Sequence, residues 1–398
     1  MTLAIVNGAV FDGRSPDLTP ATIHISGGRI TATGDEPPDA GAQVLDARGG
    51  TVVPGLIDAH FHAYAAGLDT LLIHAAPLSY VALEGARRLA AALRRGFTTV
   101  RDVAGGDAGV VRAIEEGVIQ APRYLYTGAA LSQTGGHGDP RPGDLDLCAC
   151  GGAHMSEVVD GVDALRRATR ERLRRGAHAI KVMTSGGVVS PTDPIRPAQY
   201  SAEEIRAVTE EAARRGSYVA AHAYSPEAIA HSVINGVRSI EHGNLLDAPT
   251  ARLMADHGAF LVPTLAAYDA MDRRGAELGL AAVSQAKNRE VLDAGRTAIE
   301  LARAAGVPIG FGTDLMGPLE DDQLQGLRLQ VEVEGPLETL RSATSVNAEL
   351  LGREDLGRVA VGARADLVVF AGNPLEDPSL LWTEDRRRTV IRNGSVIR

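Results

Sequence analysis

Val53-Pro54-Gly55-Leu56-Ile57-Asp58-Ala59-His60-Phe61-His62 is a short apolar stretch ending in two histidines one residue apart. Along a strand, residues two apart point the same way, so His60 and His62 face one side together and could chelate one ion. Seven similar runs follow, at 97–102, 123–127, 179–184, 218–222, 239–242, 260–263 and 309–313. Amphipathic stretches separate them, among them 83–95, 162–175, 202–215, 226–235 and 283–305. Many end in Arg-Gly or Asn-Gly, which suits a left-handed helix cap. Eight short strands alternating with helices predict an α/β fold, a TIM-like (β/α)₈ barrel. An open doubly wound sheet is the alternative.

The two ends of the chain carry a different pattern. Ile5-Val6-Asn7-Gly8-Ala9-Val10 is echoed by Ile391-Arg392-Asn393-Gly394-Ser395-Val396, each with Asn-Gly between short β-branched runs. That is a hairpin signal. Residues 23–30, centred on Gly27-Gly28, predict another hairpin, and 365–370 a further strand. The expected organisation is a small β-sandwich domain made from 1–55 and 356–398, bracketing the barrel over 56–355.

Composition agrees with such a chain. A hydrophobic share of 44% over 398 residues supplies a large core, and 45 glycines suit many tight turns. A net charge of −10 argues against nucleic-acid and anionic-membrane partners, which need a basic surface. The two cysteines, Cys148 and Cys150, are too close for an unstrained disulfide. The start shows no basic stretch before an apolar run, and no apolar run reaches the ~20 residues of a membrane span. The expected setting is the cytoplasm, and the expected partner a small-molecule substrate.

Function in such barrels sits at the C-terminal ends of the strands. Read in order, those ends offer His60 and His62, Lys181 within Ile180-Lys181-Val182-Met183, His222, His242 and Asp314. A lone His-x-His is weak; six candidate ligands on five strand ends form a constellation. Lys181 is the unusual member. An ammonium inside an apolar strand must be paired, neutralised or modified. A salt bridge to a carboxylate and a carbamate formed with carbon dioxide are both open.

These residues resemble the amidohydrolase superfamily, in its branch with binuclear centres and a carboxylated lysine. The resemblance rests on Pro54–His62, Lys181, His222, Ile240-Glu241-His242-Gly243, Gly312-Thr313-Asp314 and Gly362-Ala363-Arg364-Ala365-Asp366-Leu367-Val368, so it spans nearly the whole chain. Thr134-Gly135-Gly136-His137-Gly138-Asp139, Asp160-Gly161-Val162, Lys181–Val188 and His222-Ala223-Tyr224 are similar to imidazolonepropionase-related prolidases, which are Xaa-Pro dipeptidase-like.

The resemblance implies two divalent metal ions, zinc first, with manganese or cobalt as alternatives. His60, His62 and Asp314 would hold the more buried ion, His222 and His242 the more exposed one. Carboxylated Lys181 and a hydroxide would bridge them. Asp314 would also move the proton from the attacking water to the leaving amine. His137 would hydrogen-bond the carbonyl oxygen as charge develops there. Tyr224 would hold the substrate's carbonyl or terminal carboxylate. For the last two, bland readings stand alongside: a solvent-exposed loop histidine and a tyrosine packed at the rim.

The implied reaction is cleavage of an amide, in a dipeptide or N-acyl amino acid with a free carboxylate. The alternatives are carbamate, phenylurea, lactone or organophosphate hydrolysis on the same centre, and single-metal deamination or cyclic-amide opening. A non-catalytic scaffold would be expected to lack ligands. His24, His74, His154, His178, His231 and His257 are expected outside the site. Specificity is expected from loops at 130–160, 184–200 and 264–283, and a homo-oligomer is left open.

Overall fold

The computed structural model describes residues 2–141, 154–190, 193–383 and 388–397. Cys148 and Cys150 lie outside the described residues.

Strands from both ends of the chain join in one eight-stranded sheet. Thr2–Val10 pairs antiparallel with Thr19–Ser26 and parallel with Thr51–Pro54, and Leu367–Phe370 and Arg388–Arg392 extend the far side. Leu3, Ile5, Ile23, Ile25, Leu367 and Ile391 share a buried core. Gly27-Gly28 and Asn393-Gly394 form the two-residue turns expected of them, with φ of 57° and 75° and of 51° and 76°. Asn7-Gly8 does not turn. Asn7, at φ 56°, is the extra residue of a bulge between Ile5 and Gly8, and the strand runs on. The apolar residues beyond it pair onward instead, with Phe11 N–H on Val52 O at 2.9 Å.

The run 53–62 is two strands rather than one. Thr51–Pro54 belongs to the terminal sheet, and after Gly55 the chain enters Leu56–Phe61, the first barrel strand. Phe97–Asp102 and Arg123–Tyr126 follow in parallel, then Ile180–Met183, Val219–Ala223, Ser239–His242 and Phe260–Val262. The third strand resumes after a break as Ala130–Ser132, which pairs with Ile180–Met183, and His178 N–H on Tyr126 O (2.8 Å) links the two halves.

The eighth run, 309–313, forms no regular ladder. It is joined to Leu261 by a single parallel bridge at Ile309, and Ala59 N–H bonds Phe311 O at 2.9 Å. Side chains complete this closure. Asn347 Nδ2 donates to Ile57 O and Phe311 O, both at 2.8 Å, and Asp58 accepts from Thr313 N–H (3.1 Å) and Thr313 Oγ1 (2.6 Å). The sheet is therefore a closed barrel rather than an open one.

The outer helices include Leu78–Arg94, Val162–Arg174, Ala202–Arg214 and Pro226–Ile234. Gly after the last turn takes positive φ, 94° at Gly176 for example. The stretch 283–305 divides at Asp293 into Ala282–Leu292 and Ala294–Ala305, and 264–283 carries the helix Leu265–Arg274 in place of the expected loop. Among the described residues no helix is long and apolar enough to cross a membrane.

One buried acid at the N-terminal end of the eighth run makes stability depend on pH. Glu334 accepts from Gln330 Nε2 (2.8 Å), with Ser342 Oγ at 3.0 Å and that hydroxyl 2.7 Å from Ile309 O. Burial pushes its carboxyl up to about 7 from 4.5. A folded-state value above the unfolded one means the stabilisation is complete below about 4.5 and lost as pH rises through about 7. The Glu334→Gln protein should lose less stability between pH 5 and pH 8, by up to about 3 kcal/mol. Parallel urea titration curves for the two proteins across that range would refute this.

Candidate metal centre and substrate pocket

The closure between the first and eighth barrel segments brings Asp314 to the histidine pair. Asp314 N–H donates to His60 O at 2.8 Å. At Gly312 a Cβ would fall 2.5 Å from the Cβ of His60, so the approach requires glycine. Arg88, on Leu78–Arg94 and 1% exposed, donates to the carbonyls of His62 (3.2 Å), Leu315 (2.7 Å) and Gly317 (2.7 Å). It ties the two chain segments together beneath the site. Asp314 Oδ1 then lies 2.8 Å from His62 Nε2 and 3.3 Å from His60 Nε2.

The other strand ends converge on the same cavity, whose volume is about 330 Å³. Ring centroids of His60 and His242 are 4.9 Å apart, and those of His222 and His242 4.5 Å. His242 and Asp314 both hold positive φ, 73° and 55°, a strained backbone for side chains of this size. Lys181 is 2% exposed. Burial pushes its amine down to about 8, although Glu241 and Asp314 pull the other way.

Which nitrogen of each imidazole is left for the cavity is set by the partner of the other one. His60 Nδ1 lies 2.7 Å from Glu241 Oε2, which leaves Nε2 toward Asp314. Gly186 O takes His222 Nε2–H at 3.0 Å, which leaves Nδ1. Thr264 Oγ1 is 2.8 Å from His242 Nδ1 and donates onward to Tyr268 Oη at 3.2 Å, which leaves Nε2. These assignments follow from the hydrogen-bond network. Burial holds His222 and His242 well below the ordinary imidazole range, so both are neutral donors. Burial would raise Asp314, but His60 and the hydrogen bonds of His60 and His62 outweigh it and keep the carboxylate ionised.

Neutral imidazoles and an anionic oxygen are what a divalent cation requires. Donor atoms of His60, His62 and Asp314 all lie within 4.8 Å of one another and could hold a metal ion. His62 Nδ1 faces the buried Asp102 Oδ1 at 4.0 Å, which leaves Nε2 on the Asp314 side.

Sequence reading missed several supporting residues. Arg101 and Glu241, both 0% exposed, pair at 2.7 Å beneath His60. Burial disfavours the Glu241 carboxylate, but Arg101 and His60 hold it ionised. The signal was present: each is a charge within an apolar strand, as Lys181 is. Thr264, Tyr268 and Arg141 gave no such signal.

His137 and Tyr224 both line the cavity. The His137 ring stacks on His222 with centroids 4.2 Å apart and planes at 19°. Tyr224 is 2% exposed, stacks on His242 at 5.2 Å, and shares a 2.8 Å hydrogen bond with Tyr268 Oη. His74, expected outside the site, lines the cavity, with Ser156 Oγ 3.2 Å from its Nε2. Arg141, gripped by Asp139 at 2.8 and 2.7 Å, is the arginine on this wall, and Leu68, Met155, Met183, Met271 and Met316 make much of it apolar.

The amidohydrolase family model matches residues 51–397. The chain belongs to that family. This amidohydrolase is 35% identical to the ochratoxinase of Aspergillus niger over 385 residues, 87% of this chain and 75% of the relative. It superposes on the crystal structure of a prolidase complexed with N-methylphosphonate-L-proline with a TM-score of 0.97, at 45% identity and over 100% of both chains. Against a Xaa-Pro dipeptidase with methionine bound in the active site, the TM-score is 0.88 at 30% identity, again over 100% of both chains. The resemblance noted in the sequence therefore holds along the whole chain, and with it the barrel.

Proposed function

We propose that this amidohydrolase cleaves the amide bond of a dipeptide or N-acyl amino acid bearing a free carboxylate, a prolidase- or carboxypeptidase-like reaction, with two divalent metal ions. The observation that carries this is the convergence of four imidazoles, one carboxylate and an amine on a single buried cavity. His60, His62 and Asp314 would hold one ion, and His222 and His242 the other. Lys181 would join them as its carbamate, formed when the neutral amine adds to carbon dioxide and releases a proton. Zinc suits the donor set, and manganese or cobalt can replace it. Such a pair supplies Lewis acidity, lowering the pKa of water and polarising a carbonyl.

The chain's own residues do the rest. Asp314 Oδ takes the proton of the attacking water and passes it to the nitrogen of the departing amine. His137 donates to the carbonyl oxygen as negative charge builds there. The Tyr224 hydroxyl, already ordered by Tyr268, and the Arg141 guanidinium are polar groups on the cavity wall that would meet a substrate carboxylate. The relatives support the class, since a prolidase holding a phosphonate of proline and a Xaa-Pro dipeptidase are among them. This reading takes residues 1–55 with 356–398 as one domain and 56–355 as the other, in a cytoplasmic enzyme with no nucleic-acid partner.

Metal analysis together with a library of dipeptides and N-acyl amino acids tests the proposal. Two ions per chain and amine release are expected, with the methyl esters of the best substrates turned over poorly. One ion per chain would remove the bridging lysine from the reading. A metal-loaded protein that cleaves lactones or phenylureas but no member of the library would overturn the amide assignment.

A further inference from the structure

His137 sits in a slot with no room to spare. One ring face stacks on His222. Gly187 packs against the ring so closely that a Cβ there would fall 2.1 Å from Cε1, 2.4 Å from Nδ1 and 2.5 Å from Nε2. The backbone N–H of His137 donates to Gln199 Oε1 at 3.1 Å. Gly187 and Gln199 are therefore the walls that set where the imidazole lies.

One carboxylate holds both walls. Asp193, 3% exposed, accepts from Gly187 N–H at 3.2 Å and from Gln199 Nε2 at 3.3 Å through the same oxygen, Oδ2. That oxygen stands 3.8 Å from His137 Nδ1, which is itself buried without a partner. The segment carrying Gly187 and Asp193 is gripped from outside. Lys287, on the helix Ala282–Leu292, donates from Nζ to the carbonyls of Gly187 (3.1 Å), Ser190 (2.7 Å) and Asp193 (2.5 Å). Three ammonium protons meet three carbonyls. Neither Asp193 nor Lys287 is among the residues lining the cavity.

We infer that Asp193 and Lys287 are positioning residues whose contribution to turnover passes through His137, by fixing the slot formed by Gly187 and Gln199. The inference rests on the reading that His137 meets the substrate carbonyl. Placement within about an ångström matters there, because misplacement of that size can cost 10²-fold in rate.

A double-mutant cycle on the metal-loaded enzyme tests it. Asp193→Asn and Lys287→Met should each lower kcat by roughly 10- to 100-fold, with KM changed much less and bound metal unchanged. On a His137→Ala background either change should cost less than about twofold, since the group it positions is gone. Gly187→Ala drives a methyl into the ring itself; it should show the same loss and the same silence once His137 is alanine. Losses that persist in the His137→Ala background, that appear wholly in KM or that track metal content would overturn the inference.

Failure of the amide reading shows up elsewhere, as absence of amine release by the unaltered enzyme. The slot is then read from the imidazole nitrogen resonances of His137, identified by their loss in His137→Ala. Unmoved resonances in both Asp193→Asn and Lys287→Met would sink the inference without any turnover.

Discussion

Asp314→Asn should lower kcat by roughly 10³- to 10⁴-fold while leaving most of the bound metal in place. The amide keeps one oxygen where Asp314 Oδ1 meets His62 Nε2 at 2.8 Å and His60 Nε2 at 3.3 Å, so a donor remains. What it cannot do is accept a proton. His60 and His62 keep the native carboxylate ionised and ready to take one. The backbone at φ 55°, which asparagine tolerates well, argues against a folding defect as the cause. KM should move little, because the lost interaction belongs to the transition state. Metal content that falls in step with turnover would leave Asp314 a ligand and nothing more.

Lys181→Met should remove both activity and part of the metal. A methionine fills the same buried volume and forms no carbamate, so the proposed centre would lose that anion. Asp314 would remain as the anionic ligand for two divalent cations, and bound metal should fall from two ions per chain toward one. Turnover should drop by at least about 10³-fold, the scale of losing an essential catalytic group. Carbon-13-labelled bicarbonate should give a carbamate resonance in the native enzyme and none in the variant. A variant that retained two ions and ordinary turnover would refute the carbamate.

Both experiments probe residues that are legible in the amino-acid sequence. His60-Phe61-His62, the mid-strand Lys181 and the strand-end His222, His242 and Asp314 stand out because strand periodicity and chain order are local properties. Local logic also misfires. Asn7-Gly8 and Asn393-Gly394 look alike, yet one is a bulge and the other a turn, because the residues that follow Gly8 pair with a strand about forty positions away. Residues 309–313 carry strand composition but join the barrel through Asn347 and Asp58 instead of a ladder. His74 reaches the cavity from a helix, outside the strand-end pattern.

What the sequence determined alone was the alternation of strand and helix and the set of donor types, since each depends on neighbours within a few residues. Only the tertiary structure decided which imidazole nitrogen faces the centre and how His137 is held. His60 takes its orientation from Glu241, 181 positions away, and His137 from Gln199, 62 positions away. Such pairings arise when a barrel closes and buried polar groups must find partners, and no local periodicity encodes them.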